Sequence, residues 1–174
     1  MQAVYDRASA VRLMIFDVDG VLTDGKLYLS DSGEEIKAFN TLDGHGMKML
    51  RQSGVELAII TGRTSKLVAL RARNLGITHL YQGVENKLDA FQDLLAQLNL
   101  RAEQAAYMGD DVIDLPVMRR CGLAFTVPAA PAVVKRHAHY VSELAGGSGA
   151  VREVCELLMQ AQGTLDTQLA PYLA

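Results

Sequence analysis

Five short apolar runs punctuate the chain: Val11–Phe16, Val55–Ile60, Thr78–Tyr81, Ala105–Met108 and Gly122–Thr126. Each is too short and too continuous for an amphipathic helix and reads as a strand buried on both faces. Between them lie stretches with apolar residues three and four apart, at Gly46–Gln52, Ser65–Leu75, Lys87–Leu98 and Val112–Arg119. Leu88, Phe91, Leu94, Leu95 and Leu98 show this helical stripe most plainly. Buried strands alternating with helices predict an α/β architecture, a doubly wound parallel sheet. A last helix is expected at about Ala150–Gln162, after the glycine-rich Gly146–Gly149, followed by an irregular tail over Gly163–Ala174.

One segment breaks the alternation. Lys26–Leu29 and Glu35–Phe39 flank the turn Asp31-Ser32-Gly33, so residues 25–40 read as a β-hairpin insert directly after the first strand. In a parallel sheet this insert projects from the carboxyl edge, where such folds bind ligands. No repeat interrupts the rest, and residues 1–174 read as one domain.

Composition narrows the function classes. With 174 residues and 49% apolar content the chain can bury one substantial core. Seventeen Lys and Arg against twenty Asp and Glu give a net charge of −3, which leaves no basic excess for a nucleic-acid backbone or a membrane surface. Cys121 and Cys155 form no CxxC pair and read as buried thiols in a reducing compartment. Met1–Ala10 lacks the apolar run of a signal peptide and no stretch reaches transmembrane length, so a soluble cytoplasmic protein is expected.

The chemistry gathers at strand ends. The first strand runs into Asp17-Val18-Asp19-Gly20, and the fourth into Gly109-Asp110-Asp111-Val112-Ile113-Asp114. An isolated Asp-Gly is ordinarily a polar turn. Two acidic clusters at one sheet edge would repel one another unless a hard divalent cation neutralised them, which implies Mg²⁺. Ile59-Ile60-Thr61-Gly62-Arg63 offers a hydroxyl and backbone amides in a tight turn, and Lys87 opens a helix; both suit a phosphate. Taken singly, Thr61 reads as a helix cap and Lys87 as a surface lysine.

Asp-x-Asp-Gly, then Thr, then Lys, then Gly-Asp-Asp-x-x-Asp, each at a strand end or helix start, resembles the four motifs of the haloacid dehalogenase superfamily. The resemblance implies that fold, Rossmann-like and of the capless subclass. It also implies a phosphatase in which Asp17 attacks phosphorus while Asp19 protonates the leaving alcohol and later activates water. Asp17, the backbone carbonyl of Asp19, and Asp110 would hold Mg²⁺, with Asp111 and Asp114 in support. Thr61 and Lys87 would hold the phosphoryl oxygens.

The match extends over FDVDGVLTDGKLY, FNTLDGHGMKML, IITGRTS, LGITHLYQGVENK, YMGDDVIDLPVM and GLAFTVPAA. These resemble the branch of the superfamily that hydrolyses 3-deoxy-D-manno-octulosonate 8-phosphate, a sugar-acid phosphate of lipopolysaccharide precursor synthesis. That resemblance implies a homotetramer that closes its sites between subunits. It also implies substrate contacts at Asn40, Thr41, Asp43, Gly44, Lys48, Gly62, Arg63 and Arg71 beside Asp19 and Lys87. The tail would reach a neighbouring active site. Leu42, where this branch often has a polar or basic residue, and Ser148, which interrupts a glycine-rich segment that usually carries an arginine, depart from the pattern.

Rival readings are a phosphatase of a nine-carbon sialic-acid-type phosphate, a phospho-receiver module, and a scaffold that has lost catalysis. A receiver carries its phosphorylated Asp after the third strand, which this sequence does not, and every expected catalytic side chain is present. Four histidines at 45, 79, 137 and 139 show no ligand spacing, Gly146–Gly149 lacks a following Lys-Ser/Thr, and Met47, Met49, Met108, Met118 and Met159 read as core filling.

Overall fold

The computed structural model describes residues 1–173. Strands β1 (Leu13–Phe16), β4 (Glu56–Ile60), β5 (His79–Tyr81), β6 (Ala105–Met108), β7 (Leu123–Thr126) and β8 (Tyr140–Val141) form a parallel sheet in the order β5-β4-β1-β6-β7-β8. The hairpin is a separate antiparallel pair, β2 (Tyr28–Leu29) with β3 (Glu35–Ile36), shorter than its two expected runs. The central strand reads Leu-Met-Ile-Phe with every residue buried, because β4 and β6 flank it on both edges and helices cover both faces. The chain leaves β1 toward β4 and β5, then returns to lay down β6, β7 and β8 on the other side. The sheet order therefore reverses between β1 and β6, and the carboxyl ends of these two strands open a crevice suited to a ligand.

Helices α1 (Gln2–Ser9), α2 (Thr41–Gln52), α3 (Lys66–Leu75), α7 (Ala150–Ala161) and α8 (Leu165–Leu173) pack among themselves, as do α4 (Lys87–Leu98), α5 (Leu115–Met118) and α6 (Ala132–His137). Helix α2 crosses α7 closely, since a Cβ at Gly46 would stand only 3.1 Å from the Arg152 Cα. Caps start the helices beside the crevice: Asn86 Oδ1 accepts from Leu88 N at 3.1 Å, and Ser65 Oγ from Leu67 N at 3.2 Å.

Four expectations are corrected. The tail is not irregular: Leu165–Leu173 is helical, with Leu165 and Leu169 packed on the core and Tyr172 edge-on to His45 at 5.5 Å; Ala174 lies outside the described residues. Helix α2 begins at Thr41 rather than Gly46, because the Asn40 side chain caps it by accepting from Leu42 N at 2.7 Å. Val112–Arg119 is a 3-10 turn over Val112–Asp114 followed by the short α5, with Pro116 in its first turn. Helices α1 and α6 and strand β8 were not anticipated. All five methionines assigned to the core are buried, as are both cysteines, whose thiols burial pushes well above their usual range.

Candidate active site

Asp17 follows the last residue of β1, and its amide donates to Met108 O at 2.9 Å, so the strand pairing itself sets its position. Its side chain is almost fully buried: Oδ1 accepts from Val18 N at 2.7 Å, and Oδ2 lies 2.9 Å from Lys87 Nζ. Lys87, the first residue of α4, is buried as well and donates to Asp114 Oδ1 at 2.7 Å. It is therefore an internal cation, and the surface reading of this lysine is set aside.

Asp114 has no solvent exposure and is saturated with donors. Tyr107 Oη donates to its Oδ1 at 2.6 Å, while the amides of Asp110 and Asp111 donate to its Oδ2 at 3.0 and 3.1 Å. With Lys87 this makes four partners. Asp114 thus ties β6, the Asp110–Asp111 loop and α4 into one unit.

Asp110 stands on that loop facing Asp17, and carboxylate oxygens of Asp17, Asp110 and Asp114 lie within 4.8 Å of one another. Gly20 allows this approach, since a Cβ there would run into the Asp110 carboxylate, and its φ of +88° is one that glycine adopts without strain. Burial, then the charge of Asp114, raises the Asp17 carboxyl from 3.8 to about 6 although Lys87 pulls it down. Burial, then the charges of Asp17 and Asp114, raises Asp110 from 3.8 to about 7. Burial alone would lower Lys87, but Asp17 and Asp114 outweigh it and the ammonium is held. One ammonium against three carboxylates leaves the cluster short of positive charge, and all its near donors are hard oxygens. A divalent cation of the magnesium type fits that donor set.

A cleft of about 250 Å³ opens over the cluster, lined by Asp17, Asp19, Gly25, Thr61, Gly62, Arg63, Asp110, Asp111 and Ile113. Thr61 is buried at the end of β4, where its amide donates to Tyr81 O at 2.9 Å. Strand ends thus bring together Asp17, Asp19, Thr61, Gly62, Arg63 and Asp110, with Lys87 beneath them.

The other expected substrate residues lie elsewhere in the chain. Asn40 caps α2 and also donates to Gly147 O at 3.3 Å. Asp43 is buried and accepts from Arg152 N at 2.9 Å and Gly149 N at 3.4 Å at the start of α7. Arg71 donates to Asn40 O at 3.0 Å and lies over the Phe39 ring at 5.7 Å, with its guanidinium so close to Gly44 that a Cβ there would force it to move. Thr41, Gly44, Lys48 and Arg71 line a separate depression with His45 and Leu75. Leu42 and Ser148, the two departures from the family pattern, share a third groove with Tyr140 and Arg152.

Three residues at the site went unnoticed in the sequence. Lys37 and Glu35 reach in from the hairpin: the Lys37 ammonium hydrogen-bonds the Asp19 carboxylate, and Glu35 Oε1 lies 3.2 Å from Lys37 Nζ and 3.0 Å from Arg63 Nη2. The available signal was strand alternation, which puts residues 35 and 37 on one face. Tyr107 sits in an apolar strand and gave no signal.

This fold and this cluster define a phosphoryl-transfer type of hydrolase, and the chain belongs to the haloacid dehalogenase-like hydrolase family, whose model matches residues 32–122. Its relatives are more particular. It is 55% identical over 163 residues to the 3-deoxy-D-manno-octulosonate 8-phosphate phosphatase of Escherichia coli K12, covering 94% of this chain and 87% of that one. Among solved structures it is similar to a probable YrbI family phosphatase from Pseudomonas syringae, with 53% identity, a TM-score of 0.99, and coverage of 100% and 99%. The Moraxella catarrhalis 3-deoxy-D-manno-octulosonate 8-phosphate phosphatase, solved with magnesium, phosphate and KDO, is 42% identical with a TM-score of 0.97 and 99% coverage of both chains. Among the described residues no helix is long and apolar enough to cross a membrane.

Proposed function

We propose that this chain is a Mg²⁺-dependent phosphatase, a single catalytic domain that hydrolyses 3-deoxy-D-manno-octulosonate 8-phosphate through a phosphorylated Asp17. One observation carries the reading: a buried carboxylate at the sheet's reversal point faces Asp110 and rests on Lys87 at 2.9 Å. The relatives' shared substrate supports the choice of sugar-acid phosphate.

In this reading Asp17 Oδ attacks phosphorus and Asp19 gives its proton to the departing sugar oxygen. Water then attacks the aspartyl-phosphate, Asp19 takes its proton, and Asp17 is released. Thr61 and Lys87 hold phosphoryl oxygens as charge shifts between them, and the fixed polar groups need not reorganise. Asp17, Asp110 and the Asp19 carbonyl would hold Mg²⁺, which when bound supplies charge neutralisation at the phosphoryl group. Asp114 positions Lys87 and the Asp110 loop. Arg63, at the cleft mouth, is suited to the carboxylate of the sugar acid. Arg71, Asn40, Thr41, Asp43, Gly44 and Lys48 reach substrate only if assembly brings their face to a cleft.

Assembly as a homotetramer is part of the proposal, as is a cytoplasmic location. The hairpin supports assembly, since Leu27 and Leu29 on one face and Ile36 on the other are 53%, 63% and 63% exposed, more open apolar surface than a lone flap ordinarily carries. The test is phosphate release from 3-deoxy-D-manno-octulosonate 8-phosphate beside a nine-carbon sugar-acid phosphate, with Mg²⁺ or chelator, using Asp17→Asn as the blank. Metal-dependent preference for the eight-carbon substrate is expected. Preference for the nine-carbon one would move the substrate while keeping the chemistry, and release unaffected by Asp17→Asn would overturn both.

A further inference from the structure

The hairpin turns two unlike faces to its surroundings. Ile36 points outward, while Glu35 and Lys37 on either side of it turn toward the cleft, as strand alternation requires. Lys37 runs inward until its side chain is 3% exposed, and its ammonium meets the Asp19 carboxylate. A buried ammonium is costly unless paired, and Asp19 and Glu35 together hold this one. Glu35 Oε1 is itself buried between Lys37 and Arg63 at ion-pair distances without a well-directed hydrogen bond, so it balances charge more than it fixes direction. Among the described residues, Lys37 is the hydrogen-bond donor to the Asp19 carboxylate. Asp17, by contrast, has Val18 N and Lys87.

We propose that Lys37 is the positioning residue for Asp19: the hairpin delivers it to fix one orientation of the carboxylate that moves protons in both halves of the reaction. This rests on the role assigned to Asp19 above. In the first half the Asp17 Oδ–phosphorus bond forms, the bond from phosphorus to the sugar oxygen breaks, and the Asp19 proton goes to that oxygen. In the second half a water oxygen bonds to phosphorus, its proton passes to Asp19, and the bond to Asp17 breaks. Lys37 bonds Asp19 Oδ1, which leaves Oδ2 to carry the proton, and it acts on the substrate only through Asp19. Its contribution is that Asp19 starts each half aimed at the oxygen it must serve, which is where catalysis by a placed acid and base gains its rate.

The test uses the full chain loaded with Mg²⁺, as Lys37→Met and Lys37→Arg, beside the unsubstituted chain and Asp17→Asn. Substrates are 3-deoxy-D-manno-octulosonate 8-phosphate and 4-nitrophenyl phosphate. For the sugar-acid phosphate, Lys37→Met is expected to lower kcat roughly 10²-fold, the lower range of a general acid's contribution, with KM little changed. Nitrophenolate departs without a proton, so phosphorylation of Asp17 is spared while hydrolysis of the intermediate still needs Asp19. Lys37→Met should therefore show a burst of one nitrophenolate per chain before a slow steady state, and Lys37→Arg should restore most of the turnover. Lys37 lies outside the apolar core and its partners Asp19 and Glu35 keep 25% and 20% side-chain exposure, so Lys37→Arg should melt as the unsubstituted chain does and Lys37→Met should stay folded with only a modest fall in melting temperature. Unchanged kcat, a rise in KM alone, or equal loss on both substrates without a burst would overturn the role. If the unsubstituted chain releases no more phosphate than Asp17→Asn, the phosphatase reading fails as well; if it does and Lys37→Met behaves identically to it, this inference alone fails.

Discussion

Asp17 and Asp19 stand two residues apart, yet they are held by unlike means. Asp17 is built into the sheet, with its amide on β6, its carboxylate on Lys87 and its neighbours Asp110 and Asp114 closing around it. Asp19 lies just beyond, a quarter exposed at the side chain and held by a lysine from a two-stranded hairpin. The first region can tolerate no movement, since a nucleophile must meet phosphorus in line. The second must admit a substrate past the hairpin before its acid is needed. The contrast teaches that one motif can join a rigid half to an adjustable half when its two carboxylates fall on either side of the strand end.

Removing the nucleophile breaks the rigid half most completely: Asp17→Asn should reduce kcat by about 10⁴-fold or more, as loss of a nucleophile does elsewhere. Steady-state phosphate release checks it. Next in size is Asp114→Ala, which leaves the Tyr107 hydroxyl and two amides without their acceptor and Lys87 with Asp17 as its remaining partner. Breaking such a buried pair costs about 3–5 kcal/mol, so melting should fall by about 10 °C or more, with most activity lost. A similar substitution on the adjustable side, Arg63→Ala, should leave melting unchanged and raise KM roughly tenfold, the worth of one charge-assisted contact.

A pH series sharpens the comparison further. Asp17 and Asp110 both titrate above the 3.8 of an unperturbed Asp, at about 6 and about 7. Between about pH 4 and pH 7 the metal-free folded chain therefore binds protons that the unfolded chain has released, so its stability falls as pH rises through that window. Mg²⁺ offsets the exposed repulsion, and the gap in melting temperature between metal-loaded and chelated protein should widen from pH 5 to pH 8. Asp110→Asn should raise the melting temperature of the chelated protein at pH 8 and remove most of the response to metal. A gap that narrows with pH would contradict the charge balance described for the cluster.

The smallest expected effect concerns α8. Truncation after Gln162 removes Leu165 and Leu169 from the core margin and Tyr172 from His45, and a few-fold change in KM without loss of the fold is expected. Circular dichroism with steady-state kinetics reads both.

Sequence made the sheet legible because its central strands are continuous apolar runs, and a strand buried on both faces cannot be otherwise. The two-residue β8 carries no period, and α1 buries only Val4 and Ala8, so neither left a readable pattern. The first turn of α2 was hidden by Gly44, a residue that a helix ordinarily avoids and that here lies against the Arg71 guanidinium. Pro171 and the absence of buried residues disguised α8.

The carboxylate cluster was legible for a different reason: repeated acids at strand ends conflict with burial, and that conflict shows in the sequence alone. A single lysine in a hairpin conflicts with nothing, which is why Lys37 went unnoticed. Tyr107 similarly passed as core. Asn40 and Asp43 illustrate the converse, since the oxygens that suit a polar ligand also suit helix N-termini, and within this chain they serve the starts of α2 and α7.

The most direct measurement is to quench the Mg²⁺-loaded enzyme in acid during turnover, reduce with borohydride and map the peptides by mass spectrometry. A phosphoaspartate trapped at position 17, converted to homoserine by reduction and absent from Asp17→Asn, is the predicted result. Rapid turnover with position 17 unmodified, or a phosphoryl group trapped on another residue, would contradict the assignment of Asp17 as nucleophile.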